Sequence, residues 1–115
     1  MTFVAVDPNR ARLAELTRLL LAAFPGSVIY QHTDPLNAPR DVRSNRVDAV
    51  FAQLDMGKLG GAELTRMLRM EKAELPVFLL SDGEQGEGPA LGNRTAACLV
   101  RPLSVEMLRE SLSRI

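Results

Sequence analysis

At 115 residues, 46% of them apolar, the chain is sized for one domain over residues 1–115 with a core of its own. Fourteen Lys and Arg balance fourteen Asp and Glu, so a formal net charge of zero leaves no broad basic footprint for nucleic acid or an anionic membrane. A single cysteine, Cys98, excludes an internal disulfide and a thiol zinc cluster, and with no secretory leader at Met1–Asp7 and no apolar run near the roughly 18 residues of a membrane span, the expected setting is soluble and cytoplasmic.

Phe3 to Val6 is a continuous apolar run ending at Asp7, the pattern of a strand buried on both faces. Pro8 suits the first turn of a helix, and Leu13, Leu16, Leu20 and Ala23 then recur at helical spacing, with Arg12, Glu15 and Arg18 off that face. Pro25-Gly26 stops this helix. Ser27 to Gln31 reads as a second strand, and Asp34-Pro35 opens a weakly patterned helical stretch from Leu36 to Asn45 that contains Pro39. Asp48 to Leu54 is a third strand. Gly57, Gly60 and Gly61 mark a loop before a helix running through Leu64, Met67 and Leu68 to Lys72. Pro76 to Leu80 is a fourth strand. Ser81 to Arg94 holds four glycines and a proline, so a helix there is short or frayed, and Gly83 to Gly88 reads as an acidic, solvated, mobile loop. Ala96 to Val100 is a fifth strand, halted by Arg101-Pro102. Ser104 then caps a last helix with an apolar stripe of Val105, Leu108, Leu112 and Ile115.

Five strands alternating with five helical segments predict an α/β fold, a doubly wound parallel sheet with helices on both faces and right-handed crossovers. Such sheets place their ligand crevice at the carboxyl ends of the strands. The residues that close the strands are therefore the ones to inspect: Asp7, Gln53, Ser81 and Arg101.

Four blocks at those ends are Val6-Asp7, Asp48 through Gly61, Pro76 through Ser81, and Leu99-Val-Arg101-Pro102. In order and spacing they resemble a response-regulator receiver, from Phe3 to Leu112. The resemblance implies a flavodoxin-like strand order of 2-1-3-4-5, a role in two-component signal transduction and transcription regulation, and a degenerate pocket. Receivers carry a phosphoacceptor aspartate at the end of the third strand, an acidic pair after the first that helps hold Mg²⁺, a Ser or Thr ending the fourth, and a Lys before a proline after the fifth. By position these are Gln53, Asp7-Pro8, Ser81 and Arg101-Pro102, and Cys98 stands at the switch-aromatic position. The resemblance also implies a cis Arg101-Pro102 bond.

The amide of Gln53 is a very poor nucleophile for acyl-phosphate formation and is one methylene longer than Asp. Pro8 and Gln53 remove two carboxylates, so Mg²⁺ binding is expected to be weak or absent. Asp55 lies two residues too far along, several ångströms away at roughly 3.3 Å per residue. Arg101 keeps the positive charge in a bulkier fork, suited to hydrogen-bond the Gln53 carbonyl or to pair with Asp7.

Simpler roles stand beside these. Asp7 also suits a helix cap, Gln53 a hydrogen-bonded filler and Ser81 a turn former. His32 reads as surface decoration, Cys98 as a small core hydrophobe, and Met67 and Met70 as filling core or edge space.

Three functions follow. The first is a non-phosphorylatable receiver that binds a protein partner or itself, with a fused or separate DNA-binding output domain; Leu91, Leu103 and Met107 contribute to the face by which receivers commonly pair. The second is a phosphoaccepting receiver that uses Asp55 or Asp7. The third is a small flavodoxin-like enzyme or nucleotide-binding domain, disfavoured because Asp7-Pro-Asn-Arg10 supplies no glycine loop for phosphate and Asn9 stands where a dehalogenase-like hydrolase has a second aspartate. The expectation is a non-enzyme without catalytic residues, cofactor, direct nucleic-acid contact or membrane contact.

Overall fold

The computed structural model describes residues 1–57, 59–82 and 97–114. The strands are β1 (Thr2–Val6), β2 (Val28–His32), β3 (Ala49–Gln53), β4 (Val77–Ser81) and β5 (Ala97–Val100). The helices are α1 (Arg10–Ala23), α2 (Ala38–Ser44), α3 (Gly61–Glu71) and α4 (Val105–Ser113), with a 3₁₀ turn at Pro35–Asn37 ahead of α2. All pairings are parallel, as the alternation of elements predicts, and the order is β2-β1-β3-β4-β5, as the resemblance implies. Among the described residues no helix is long and apolar enough to cross a membrane.

The period-two alternation of strand side chains divides the core into two layers. Phe3, Ala5, Phe51, Phe78 and Leu80 face α1 and α4, where Leu13, Leu16, Leu20, Leu108 and Leu112 meet them. Val4, Val6, Val50, Ala52, Val77 and Leu79 face the other way, onto Ala38 and Val42 of α2 and Leu64 and Leu68 of α3. Central β3 and β4 are buried at every residue, whereas edge strands β2 and β5 are partly exposed, which accounts for the continuous apolar runs of the central strands. Across the first layer, Phe24, Phe3, Phe51 and Phe78 form a row of rings with centroid separations of 5.4, 5.8 and 5.0 Å. Each spacing lies in the range where aromatic pairs attract beyond simple burial.

Several boundaries differ from the sequence reading. The first helix begins at Arg10, and its cap is Asn9, whose Oδ1 accepts from Arg12 N at 2.9 Å; Pro8 precedes the helix and Asp7 does not cap it. Strands two and four begin one residue later than expected, because their pairing with β1 and β3 starts at Val28 and Val77. The weak stretch after Asp34 divides in two. Asp34 Oδ1 accepts from Leu36 N to start the 3₁₀ turn, and Pro39 sits in the first turn of α2, where its missing N–H leaves no helical bond unmade.

Gly61 is the first residue of α3, not part of the loop. A Cβ there would lie 2.9 Å from Leu79 Cδ2 and 3.1 Å from both Gln53 O and Leu54 Cα, so glycine lets α3 start against the end of β3. Met70 fills no core or edge space: it is 84% exposed. Ser104 caps α4 as expected, accepting from Met107 N at 3.1 Å, and Leu108 and Leu112 are buried. The expected fourth helical segment, the loop from Gly83 to Gly88, Leu91 and Ile115 lie outside the described residues.

Candidate functional site at the strand ends

Because the strands are parallel, the residues that close them meet along one rim. Asp7 follows β1, Gln53 ends β3, Ser81 ends β4 and Arg101 follows β5. The ladder bonds carry the backbone on to this rim: Asp7 N donates to His32 O at 3.1 Å, Leu54 N to Leu80 O at 2.8 Å and Arg101 N to Ser81 O at 2.9 Å. Asp7, Gln53 and Ser81 are only 2%, 4% and 6% exposed. Buried polar side chains of this kind cost free energy unless hydrogen-bonded.

Arg101 answers for two of them. Its Nη2 donates to Asp7 Oδ2 at 3.2 Å and to Gln53 Oε1 at 3.0 Å. The sequence reading offered these contacts as alternatives, and one nitrogen makes both. The other Asp7 oxygen accepts from Asn9 N at 2.9 Å, a turn that sets the chain toward α1. The far end of the Gln53 amide donates from Nε2 to Asp82 Oδ2 at 3.3 Å. Gln53 is therefore fixed at both ends, its carbonyl toward a cation and its amide toward a carboxylate.

Asp82 and Arg12 complete the cluster, and the sequence reading overlooked both. Arg12 Nη1 donates to Asp82 Oδ1 at 2.7 Å and to Oδ2 at 2.9 Å. Arg101 Nε stands 3.4 Å from Asp82 Oδ1, within ion-pair range, although it makes no hydrogen bond among the described residues. In sequence, Asp82 falls in the glycine-rich stretch after Ser81 and Arg12 at an off-core position of α1. The available signal was adjacency, since Asp82 is the first residue beyond a strand end and Arg12 lies in the first turn after Asp7.

Burial draws the Arg101 guanidinium below its ordinary pKa; Asp7 raises it again, Arg12 lowers it, and Asp82 and Glu15 raise it. An arginine keeps its charge through such perturbations. The cluster thus pairs two guanidinia, Arg12 and Arg101, with two carboxylates, Asp7 and Asp82.

The remaining expected residues fall as follows. Asp55 is exposed, with Oδ1 3.4 Å from its donor Gly57 N, and β3 ends at Gln53, so Asp55 stays outside the cluster. Pro102 follows Arg101 through a cis bond, as the resemblance implies. Cys98 is half-buried on β5 and packs against the second core layer. Of the face assigned to Leu91, Leu103 and Met107, Leu103 is half-buried and packs against the first core layer, and Met107 is half-buried. His32 is not surface decoration. Its side chain is 16% exposed and its Nε2 contacts Asp41 Oδ2 of α2, a residue nine positions on whose placement depends on the turn between them.

No protein-family profile matches the chain. It is 30% identical over 95 residues to stress response regulator protein 1 of Lodderomyces elongisporus, covering 81% of this chain and 26% of that protein. It is 31% identical over 117 residues to response regulator MprA of Mycobacterium leprae, covering 100% of this chain and 49% of the relative. The chain therefore spans about a quarter of the first relative and about half of the second. Among solved structures, a response regulator receiver domain protein of Clostridium thermocellum superposes with a TM-score of 0.85 at 18% identity, over 98% of this chain and 91% of that one. With the 2-1-3-4-5 parallel sheet, these likenesses give the chain the flavodoxin-like α/β fold seen in solved receiver domains.

Proposed function

We propose that the chain is a signal-transduction receiver that takes no phosphoryl group at the usual strand end, and that it acts through contacts with a protein partner or a second copy. The observation that carries this reading is the state of Gln53. It is a buried amide whose carbonyl accepts from Arg101 and whose nitrogen donates to Asp82. Attack on phosphorus requires an ionised oxygen with a free lone pair, and an amide held at both ends offers none.

The alternative acceptors are poorly set. Asp7 has both oxygens engaged, one by Asn9 N and one by Arg101, and Asp55 is exposed beyond the end of β3. The curated relatives are named as response regulators and are much longer than this chain, which supports a regulatory role beside an output domain, fused or separate. In this reading the domain is not an enzyme and makes no direct contact with nucleic acid.

Incubation with acetyl phosphate and Mg²⁺ followed by intact-mass measurement tests the reading. The expected result is an unchanged mass, and a stable increment of one phosphoryl group overturns it. Gln53→Asp is expected to restore phosphorylation only in part, since Pro8 still withholds a carboxylate and Arg101 still holds Asp7. Light scattering over a concentration series addresses the partner: self-association independent of phosphodonor and Mg²⁺ identifies a second copy, and a strict monomer counts against it.

A further inference from the structure

We infer that Arg101 is the resident cation of this pocket: its guanidinium supplies from the polypeptide the positive charge that a divalent ion supplies in the family it resembles, and the pocket admits no such ion. The inference rests on the reading of the pocket given above. It concerns what neutralises the rim, not whether phosphorus is captured there.

Geometry carries the argument. One nitrogen, Arg101 Nη2, lies 3.2 Å from an oxygen at the end of β1 and 3.0 Å from an oxygen at the end of β3, so it sits where inward-facing oxygens of two neighbouring strands converge. Mg²⁺ asks for near-octahedral oxygen ligands at roughly 2.0–2.1 Å. To reach Asp7 Oδ2 and Gln53 Oε1 together, the ion has to displace that nitrogen. The guanidinium is poorly placed to leave, because its residue is tied by its backbone N–H to Ser81 O at 2.9 Å and its side chain is only 15% exposed.

Charge points the same way. Among the described residues of the cluster, the carboxylates of Asp7 and Asp82 are matched by the guanidinia of Arg101 and Arg12, and nearby Glu15 pairs with Arg18, so these groups leave no unmatched charge to draw a dication out of water. Among the described residues the side-chain donor set is also thin: one buried carboxylate with both oxygens already accepting, one neutral amide, and a carboxylate gripped by Arg12. These residues do not fit Mg²⁺. They fit the arginine that is already there.

Mn²⁺, used alone as a paramagnetic probe, tests the inference on the intact chain. The expected result is no saturable line-broadening of the amide resonances of Asp7, Gln53 and Asp82 up to millimolar Mn²⁺, and a melting temperature no more responsive to MgCl₂ than to NaCl of equal ionic strength. Saturable broadening at those amides overturns the inference even if the protein is never phosphorylated. Phosphorylation without such broadening overturns the earlier reading instead.

Arg101→Met supplies the converse. Its melting temperature is expected to fall by roughly 10 °C, since Asp7 stays buried without its partner. Divalent ions, and not matched NaCl, are expected to restore part of that loss. A folded variant with unchanged melting temperature, or one indifferent to Mg²⁺, counts against a cation role for Arg101. If this variant does not fold, the Mn²⁺ measurement on the unmodified chain still decides.

Discussion

Two carboxylates near the same rim, Asp7 and Asp41, find their partners in contrasting ways. Asp7 meets Arg101, 94 positions later in the chain, in a contact that forms only when β1, β3, β4 and β5 are assembled in register. Asp41 meets His32, nine positions earlier, across the single turn that joins β2 to α2. The two sites touch through one backbone bond, Asp7 N to His32 O. The local pair fastens one helix to an edge strand, whereas the distant pair belongs to a network with Gln53, Asp82 and Arg12 that joins four strand ends and α1. The contrast teaches that the cost of losing a pair depends on how deeply the stranded partner is buried. The Asp7 side chain is 2% exposed and that of Asp41 19%, so cutting the distant pair leaves the more deeply buried group without its partner.

The largest expected effect belongs to the distant pair. In a double-mutant cycle of Asp7→Asn and Arg101→Met, read by urea unfolding, the coupling is expected to be about 2–3 kcal/mol, because either single change leaves a buried polar group short of a partner. A coupling below about 0.5 kcal/mol would make the network decorative and erase the contrast.

Next is the packing that positions Gln53. Gly61→Ala forces a methyl against Leu79 Cδ2 and the backbone of Gln53 and Leu54, with an expected loss of about 1–2 kcal/mol. Chemical shifts of Gln53 and Arg101 should move along with the stability, whereas those of His32 and Asp41 should not.

The local pair comes third. His32→Ala is expected to cost about 1 kcal/mol in the same unfolding assay, with faster amide exchange confined to α2. Loss of protection spreading to β3 or β4 would show the two sites to be one cooperative unit. Smallest is Arg12→Ala. Arg12 and Asp82 are 37% and 52% exposed at their side chains, so the loss should be about 0.5 kcal/mol and should shrink in 1 M NaCl.

The alternation of elements was legible because apolar runs and helical stripes are local and repeat over many residues. β1, the stripe Leu13-Leu16-Leu20-Ala23 and the capped α4 all stand as read, within a residue or two at their ends. The helix after Asp34 was hard to read because a 3₁₀ turn and a seven-residue helix share one short stretch, too brief for a period to show. Gly61 read as a loop glycine because its reason for being glycine is a collision with Leu79, eighteen positions away. Met70 looked like a core residue from its type alone, and only the orientation of α3 turned it outward.

The candidate site divides along the same line. Asp7, Gln53, Ser81 and Arg101 were visible because a parallel sheet obliges its strand-closing residues to share an edge, and hydropathy marks where the strands close. The sequence by itself therefore determined the order of layers, the rim and the neutral amide that Gln53 brings to it. The tertiary structure decided which charges meet: that one Arg101 nitrogen serves both Asp7 and Gln53, that Asp82 joins Arg12 to the rim, and that His32 turns inward to Asp41. Periodicity fixes which face a side chain takes. Ion pairs depend on separations of a few ångströms between residues far apart in the chain, and these exist only once the sheet has closed.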